Sequence, residues 1–236
     1  MVATERTPPA EGRRPVGRRA GLDLRRIIDA ARSLDADMVT VQAVADKLGV
    51  DRKAVRHHAT DRETLLKLMA LDAFSEKSSD VDIPADCSWQ EACRVYALAF
   101  ADNVIATNAL AEHLRLDHTL IARLGAPTEA VAKKLTEAGF DDESALRALA
   151  LLSNVCMAYA QDVVFVSRSG ERPRRLMARE TLSGHEREFE NFARMVDLSI
   201  DTYDRKQLDT SVEVLIHGIE AVLLRRADAS GPARRH

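Results

Sequence analysis

Arg52, Lys53, Arg56, His57 and His58 crowd into one short part of the stretch ADKLGVDRKAVRHHATDRETLL, Ala45 to Leu66. Cations on neighbouring helix positions repel one another. The cluster is therefore either an ordinary solvated face or a set of donors awaiting an anion. Arginine, lysine and histidine beside small apolar groups, here Ala54 and Val55, are what a helix needs to address phosphates and base edges in a DNA major groove. Catalysis is the competing use. Adjacent histidines point in different directions from a helix, and no carboxylate or thiol is spaced to orient them. The sequence contains no G-x-x-x-x-G-K, H-E-x-x-H or G-x-S-x-G. No catalytic residue, metal ligand or cofactor is assigned, and the chain is not expected to be an enzyme.

The flanking residues predict how the cluster is held. Leu24, Ile27, Ile28, Ala31 and Leu34 recur at steps of three and four and give a first helix one apolar face, stopped by Asp35-Ala36-Asp37. Thr40 is a suitable N-cap for a second helix, whose buried face is Val41, Val44, Ala45 and Leu48 and which Gly49 ends. Asp51 caps a third, very short helix running to about His58. Thr60-Asp61-Arg62-Glu63 has the form of a capping box and opens a fourth helix through Leu65, Leu66, Met69 and Phe74. Two short helices meeting at a sharp turn, the second too short to carry its own core, form a helix-turn-helix. Charge agrees: residues 1–60 hold 12 Lys and Arg against 8 Asp and Glu, a balance of +4, whereas the remainder holds 22 against 29. Only the N-terminal part suits a polyanion.

The stretch IIDAARSLDADMVTVQAVADKLGVDRKAVRHHATDRETLLKLMA resembles the DNA-binding domain of the tetracycline-repressor (TetR) family of bacterial transcriptional regulators. The match rests on the hydrophobic skeleton, the VADKLGV turn and the H-x-T-D-R-E-T-L-L entry to the fourth helix, from about Leu24 to Phe74. The C-terminal region is similar in helix order and in its last-helix pattern VEVLIHGIEAVL. The resemblance implies operator DNA as a partner, met by Thr40, Gln42, Arg52, Lys53, Ala54, Arg56, His57, His58 and Arg62. The chain also departs from the family. Arg56 stands where an aromatic is usual, Arg62 replaces a lysine, and Asp35-Ala36-Asp37 replaces a glycine-containing loop. Arg56 can still reach phosphate or a guanine edge, but the operator sequence does not carry over.

Gly, Pro and aromatics are scarce in the 236 residues while Ala, Leu, Arg, Glu and Asp recur, the mixture expected of an all-α chain. Expected organisation is a disordered basic arm over 1–21, a helix-turn-helix domain over 22–74, a larger helical ligand-binding and dimerisation domain over 75–226 and a disordered tail over 227–236. Ser88-Trp89-Gln90-Glu91 opens a helix to about Ile105. Further helices are read over Ala109–Leu116, from Pro127 to near Gly139, over Glu143–Val166, along Phe189, Phe192 and Val196, and along the seam Leu208–Leu223. Ser167–Gly184 is read as a mobile connection. The apolar run Ala148–Ala160 is too short and too interrupted to cross a membrane, and the N-terminus lacks a signal core, so a soluble cytoplasmic protein is expected. Cys87, Cys93 and Cys156 have no C-x-x-C spacing and read as reduced, mostly buried thiols. The apolar helices Glu143–Val166 and Leu208–Leu223 exceed what one protomer covers and predict a homodimer.

The family resemblance further implies a small-molecule pocket among the middle helices. Phe100, Asn103, His113, Leu114, His118, Asn154, Ala158 and Gln161 are its candidate lining, because they bring a few polar groups onto apolar helices. Such a lining suits a largely apolar effector. Asn154 and Gln161, seven apart, share a helix face and serve either a ligand or a neighbouring helix. His113 and His118, five apart, do not align as metal ligands. Two functions remain open: a ligand-responsive repressor on a palindromic operator, and an all-α interaction protein whose helix-turn-helix answers to no small molecule.

Overall fold

The computed structural model describes residues 22–78 and 81–229. The expected basic arm over 1–21, and all of the expected tail beyond Ala229, lie outside them. Every described element is helical, and the chain divides into two compact units, Met1–Thr60 and Asp61–His236.

In the first unit α1 (Leu24–Arg32), α2 (Val41–Leu48) and α3 (Arg52–Arg56) follow one another, with a 3-10 turn at Ala36–Met38. Each helix starts on an oxygen that accepts a backbone N–H: Asp23 from Arg26, Thr40 from Ala43, Asp51 from Lys53. Gly49 ends α2 in the left-handed conformation, φ +64°, which a side chain would strain. The Val50 N–H donates back to Ala45, tightening the turn. Ile27, Ala31, Val39, Val44, Ala45, Val55 and Ala59 are sealed in one small core. Val55 is thus the pin that holds α3 down. α3 ends at Arg56, short of the expected His58; His57 is its C-cap, and the bonds from His58 and Ala59 to Val55 continue it only as a turn.

The second unit comprises α4 (Arg62–Ser78), α5 (Trp89–Ala106), α6 (His118–Arg123), α7 (Gly125–Glu137), α8 (Asp142–Ser169), α9 (Pro173–Leu182), α10 (Glu190–Asp197) and α11 (Arg205–Ala229), with a 3-10 segment at Asn108–His113. α5 is its axis. Trp89, Ala92, Cys93, Tyr96, Ala97, Phe100, Ala101 and Val104 are buried at helical spacing. They pack against Ala145, Ala148, Leu152, Cys156 and Ala160 of α8 and against α4, α7 and α11. Phe100 lies between Tyr96, stacked at 6.0 Å, and Phe74 of α4, edge-on at 5.8 Å. All three cysteines are free, and burial pushes the Cys93 and Cys156 thiols up to about 12, so neither is a nucleophile at neutral pH.

At the start of α4 the Asp61 carboxylate accepts the Thr64 N–H. Several elements differ from the sequence reading. The segment read as a helix over Ala109–Leu116 is the shorter 3-10 segment, and α6 has no counterpart in that reading. α7 begins at Gly125, with Pro127 inside its first turn. Ser167–Gly184 is largely helical, a correction with a clear cause. Its breakers mark boundaries: Gly170 is the left-handed cap of α8, Pro173 the first residue of α9, and Gly184 follows α9 at φ +79°. α8 has 28 residues and, by length and composition alone, is long and apolar enough to cross a membrane, contrary to the expectation for Ala148–Ala160; here one face of it is core against α5. α11 runs to Ala229, three residues into the expected tail.

Asp117 ties α4 to α6. It accepts from the Thr119 and Leu120 N–H groups as the α6 cap, from the Thr119 hydroxyl, and from the Lys67 ammonium of α4. Lys67 first, then Thr119, hold its carboxyl well below the ordinary carboxylate range. Asp117→Ala is expected to lower stability by about 1–2 kcal/mol at neutral pH. A depressed carboxyl stabilises above its unfolded pKa and loses that contribution as pH falls, so the gap in Tm between wild type and variant should narrow below pH 3.8. A thermal melt series with a constant gap would refute this account of Asp117.

Candidate functional site

α3 and its flanks present the donors that the sequence singles out. Thr40, Gln42, Arg52, Lys53, Arg56 and His57 are exposed; Ala54 and His58 are half-buried. Some of these groups are already in use. The Thr40 hydroxyl caps α2, Gln42 donates to Asp46 at 2.7 Å, and Arg56 Nε donates to the Thr60 carbonyl at 3.3 Å. The His57 and His58 rings meet edge to face at 5.5 Å. Arg52 and Lys53 have no side-chain hydrogen bond or ion pair among the described residues. Their charges at the start of α3 are left to solvent or to a ligand. The Asp51 carboxylate, the nearest anion in sequence, is turned into the helix cap. Arg62 is exposed in the first turn of α4, within the second unit.

The second unit contains a cavity of about 580 Å³ between α8 and residues 112–116, at the end of the 3-10 segment Asn108–His113. Of the eight expected ligand residues, Leu114, Asn154 and Gln161 line it, together with Met157 and Phe165. The other five lie elsewhere. Phe100 fills the aromatic core, Asn103 is half-buried on α5, and Ala158 is exposed on α8. His118 is exposed at the first position of α6. His113 faces Glu63 of α4, Nδ1 to Oε1 3.2 Å, so it is a tie between helices. Gln161 does two things. Its amide donates to the Ala111 and Leu114 carbonyls, at 3.1 and 3.2 Å, bracing the C-terminal end of the 3-10 segment while one face stays on the cavity. Sequence reasoning missed Glu112, Arg115, Asp162 and Arg168, whose charges ring the opening. They come from segments that helical periodicity treats as solvated surface.

A second groove, about 700 Å³, runs between α8 and α11 over Leu151, Val155, Val214, Gly218 and Val222. Leu151 is 51% exposed and Val214 68%. Ile216, by contrast, is turned into the protomer's own core.

No protein-family model matches the sequence, and no curated protein sequence matches it. Solved structures do. A possible TetR-family transcriptional regulator from Streptomyces coelicolor A3(2) superposes with a TM-score of 0.67 at 20% identity, over 85% of this chain and 100% of that one. ActR from the same species, a TetR-family protein in complex with actinorhodin, gives 0.65 at 24% identity, over 86% and 97%. A TetR variant from Acinetobacter baumannii AYE in complex with minocycline gives 0.58 at 18% identity, over 85% and 98%. An N-terminal helix-turn-helix followed by a larger helical unit, matched over most of both chains, is the fold of the TetR-family transcriptional regulators.

Proposed function

We propose that this chain is a DNA-binding transcriptional regulator, a repressor that grips a palindromic operator as a homodimer and is released by a small, largely apolar molecule. The observation that carries the reading is the basic face of α3. Arg52 and Lys53 stand free on a helix that is capped by Asp51 and pinned by Val55, with Arg56, His57, Gln42 and Thr40 around them. A helix so short contributes little core of its own, but it suits insertion into a major groove, where donors and small groups meet bases and phosphates. Arg62 is assigned to a flanking phosphate. The protein would act in the bacterial cytoplasm, with no chemistry of its own.

The α8–α11 groove supports the dimer. Leu151, Val214 and Val222 leave a contiguous apolar face in water, and Gly218, with open space where a Cβ would stand, lets another helix approach closely. Two copies meeting there would form a four-helix contact. The cavity beside Asn154 and Gln161 is the proposed effector site, and the solved ligand complexes of the fold favour a small-molecule response. Its wall is the segment 108–117, which is tied to α4 through Glu63–His113 and Lys67–Asp117. α4 begins at Arg62, directly after the first unit in the chain. Displacement of that wall would thus reach the helix-turn-helix through covalent continuity.

Three outcomes are expected. Alanine at Arg52 and Lys53 should weaken operator binding and lower the slope of log affinity against log salt by about one for each phosphate no longer engaged; unchanged affinity and slope in a footprinted fragment would remove α3 from the interface. Val214→Glu should shift the protein from dimer to monomer in light scattering without loss of helicity, whereas Ile216→Glu should disrupt the protomer itself. In a screen of apolar small molecules against the protein–operator complex, compounds that release DNA should lose about ten-fold in potency in Asn154→Leu and Phe165→Ala, a difference of about 1.4 kcal/mol; equal potency would place the effector elsewhere.

A further inference from the structure

Helices α9 and α10 carry a third cavity that the regulator reading leaves unused. It measures about 650 Å³ and is walled by Phe192, Met195, Leu198 and Ile200, with Arg172, Arg174 and Arg175 on its rim. The wall is unusually apolar for a surface: Met195 is 59% exposed, Leu198 64% and Ile200 68%. Exposure of this kind over adjoining residues marks a binding surface, since isolated apolar side chains are common but a cluster around a concavity is not.

The rim is over-charged. Arg172 pairs with Asp201 at 3.0 Å. Arg174 pairs with Asp162 and lies over the Tyr203 ring, 4.5 Å from its centroid. Arg175 forms no such pair, although its charge also bears on the Asp201 carboxylate. Its guanidinium donates to the neutral Ser199 hydroxyl at 3.1 Å, and among the described residues it has no ion-pair partner. The first turn of α9 holds no acidic residue, and cations there oppose the helix dipole, so this placement adds no stability. A guanidinium fork offers two parallel donors, the geometry that a carboxylate accepts.

We propose that the α9–α10 cavity binds a small amphipathic monoanion, an apolar chain or ring bearing one carboxylate, with the carboxylate on Arg175 and the apolar part against Met195, Leu198 and Ile200. The site is separate from the Asn154–Gln161 cavity: the two share no lining residue. It is also independent of DNA, so it can be tested on the free protein.

Decanoate and decan-1-ol, matched in chain and different in charge, are the probes, titrated calorimetrically into the full-length protein. Decanoate should bind about ten-fold more tightly than the alcohol, the increment of one charge-assisted hydrogen-bonded pair. Arg175→Gln should abolish that preference while leaving the alcohol's affinity, and Arg175→Lys, which keeps the charge but loses the fork, should retain part of it. Met195→Gln with Ile200→Gln should weaken both probes. All of these positions are exposed, and unchanged far-UV circular dichroism would confirm folded variants. No binding of decanoate, or a preference for it that survives Arg175→Gln, would overturn the assignment, as would loss of decanoate binding on Asn154→Leu with none on Arg175→Gln.

Discussion

The packing of α5 against α8 is the constraint on which the larger unit depends. Many of the residues that the two helices bury are small: Ala92, Ala97 and Ala101 on α5, Ala145, Ala148 and Ala160 on α8. Small residues bring helix axes close and fix their crossing by interdigitation. Large side chains fill in around them, Trp89 against Phe140 and Phe100 against Phe74 and Tyr96, and the Tyr96 hydroxyl meets the Ser153 hydroxyl of α8 at 3.1 Å. A core packed this way tolerates little change in volume. α11 is held on the same axis by paired forks, Arg94 on Glu213 at 2.5 and 2.9 Å and Arg205 on Asp102 at 2.6 and 3.3 Å. These pairs are partly exposed and add little energy, but their two-point geometry sets the register of α11.

Features written in a few consecutive residues were legible. Thr40, Gly49, Asp51 and Ser88 each punctuate a helix by a bond within three or four positions, and the structure makes those bonds. The first-unit core was readable for the same reason, because helical spacing is local. The short helices were not. α6 buries Leu120 alone, and α9 only Ala178 and Leu182. Neither has an apolar face long enough to declare itself, and each is held by tertiary anchors: Lys67 on Asp117 for α6, and the Tyr203 hydroxyl accepting the Arg174 N–H for α9.

The basic cluster could be picked out as a candidate interface because all its donors lie within one short segment of chain. The cavity lining was harder to read, since a cavity is made by the rotation of each helix about its own axis, which composition does not reveal. Asn154 and Gln161, seven residues apart, do reach the same cavity. Phe100 is of the type that lines apolar pockets, but its face of α5 points at Phe74. His113 looked like a pocket residue for its polarity, and its ring is instead matched to Glu63 fifty positions earlier. Pairings over such a separation leave no periodic trace.

Gln161 shows how a binding cavity and a structural joint can share one residue. Its amide closes the carbonyl end of the 3-10 segment, so the shape of the cavity wall depends on two hydrogen bonds from the cavity's own floor. A molecule that competes for that amide would cost the Ala111 and Leu114 carbonyls one hydrogen bond each unless the wall moved, leaving Ala111 with the Leu114 N–H and Leu114 with the Arg115 guanidinium. The same wall carries His113 and Asp117, which hold α4. Binding energy gained at Gln161 would therefore favour a conformation in which 108–117 and α4 have shifted together, and disfavour the one with both bonds intact. That difference between states, rather than affinity itself, is what a ligand needs in order to alter the helix-turn-helix unit.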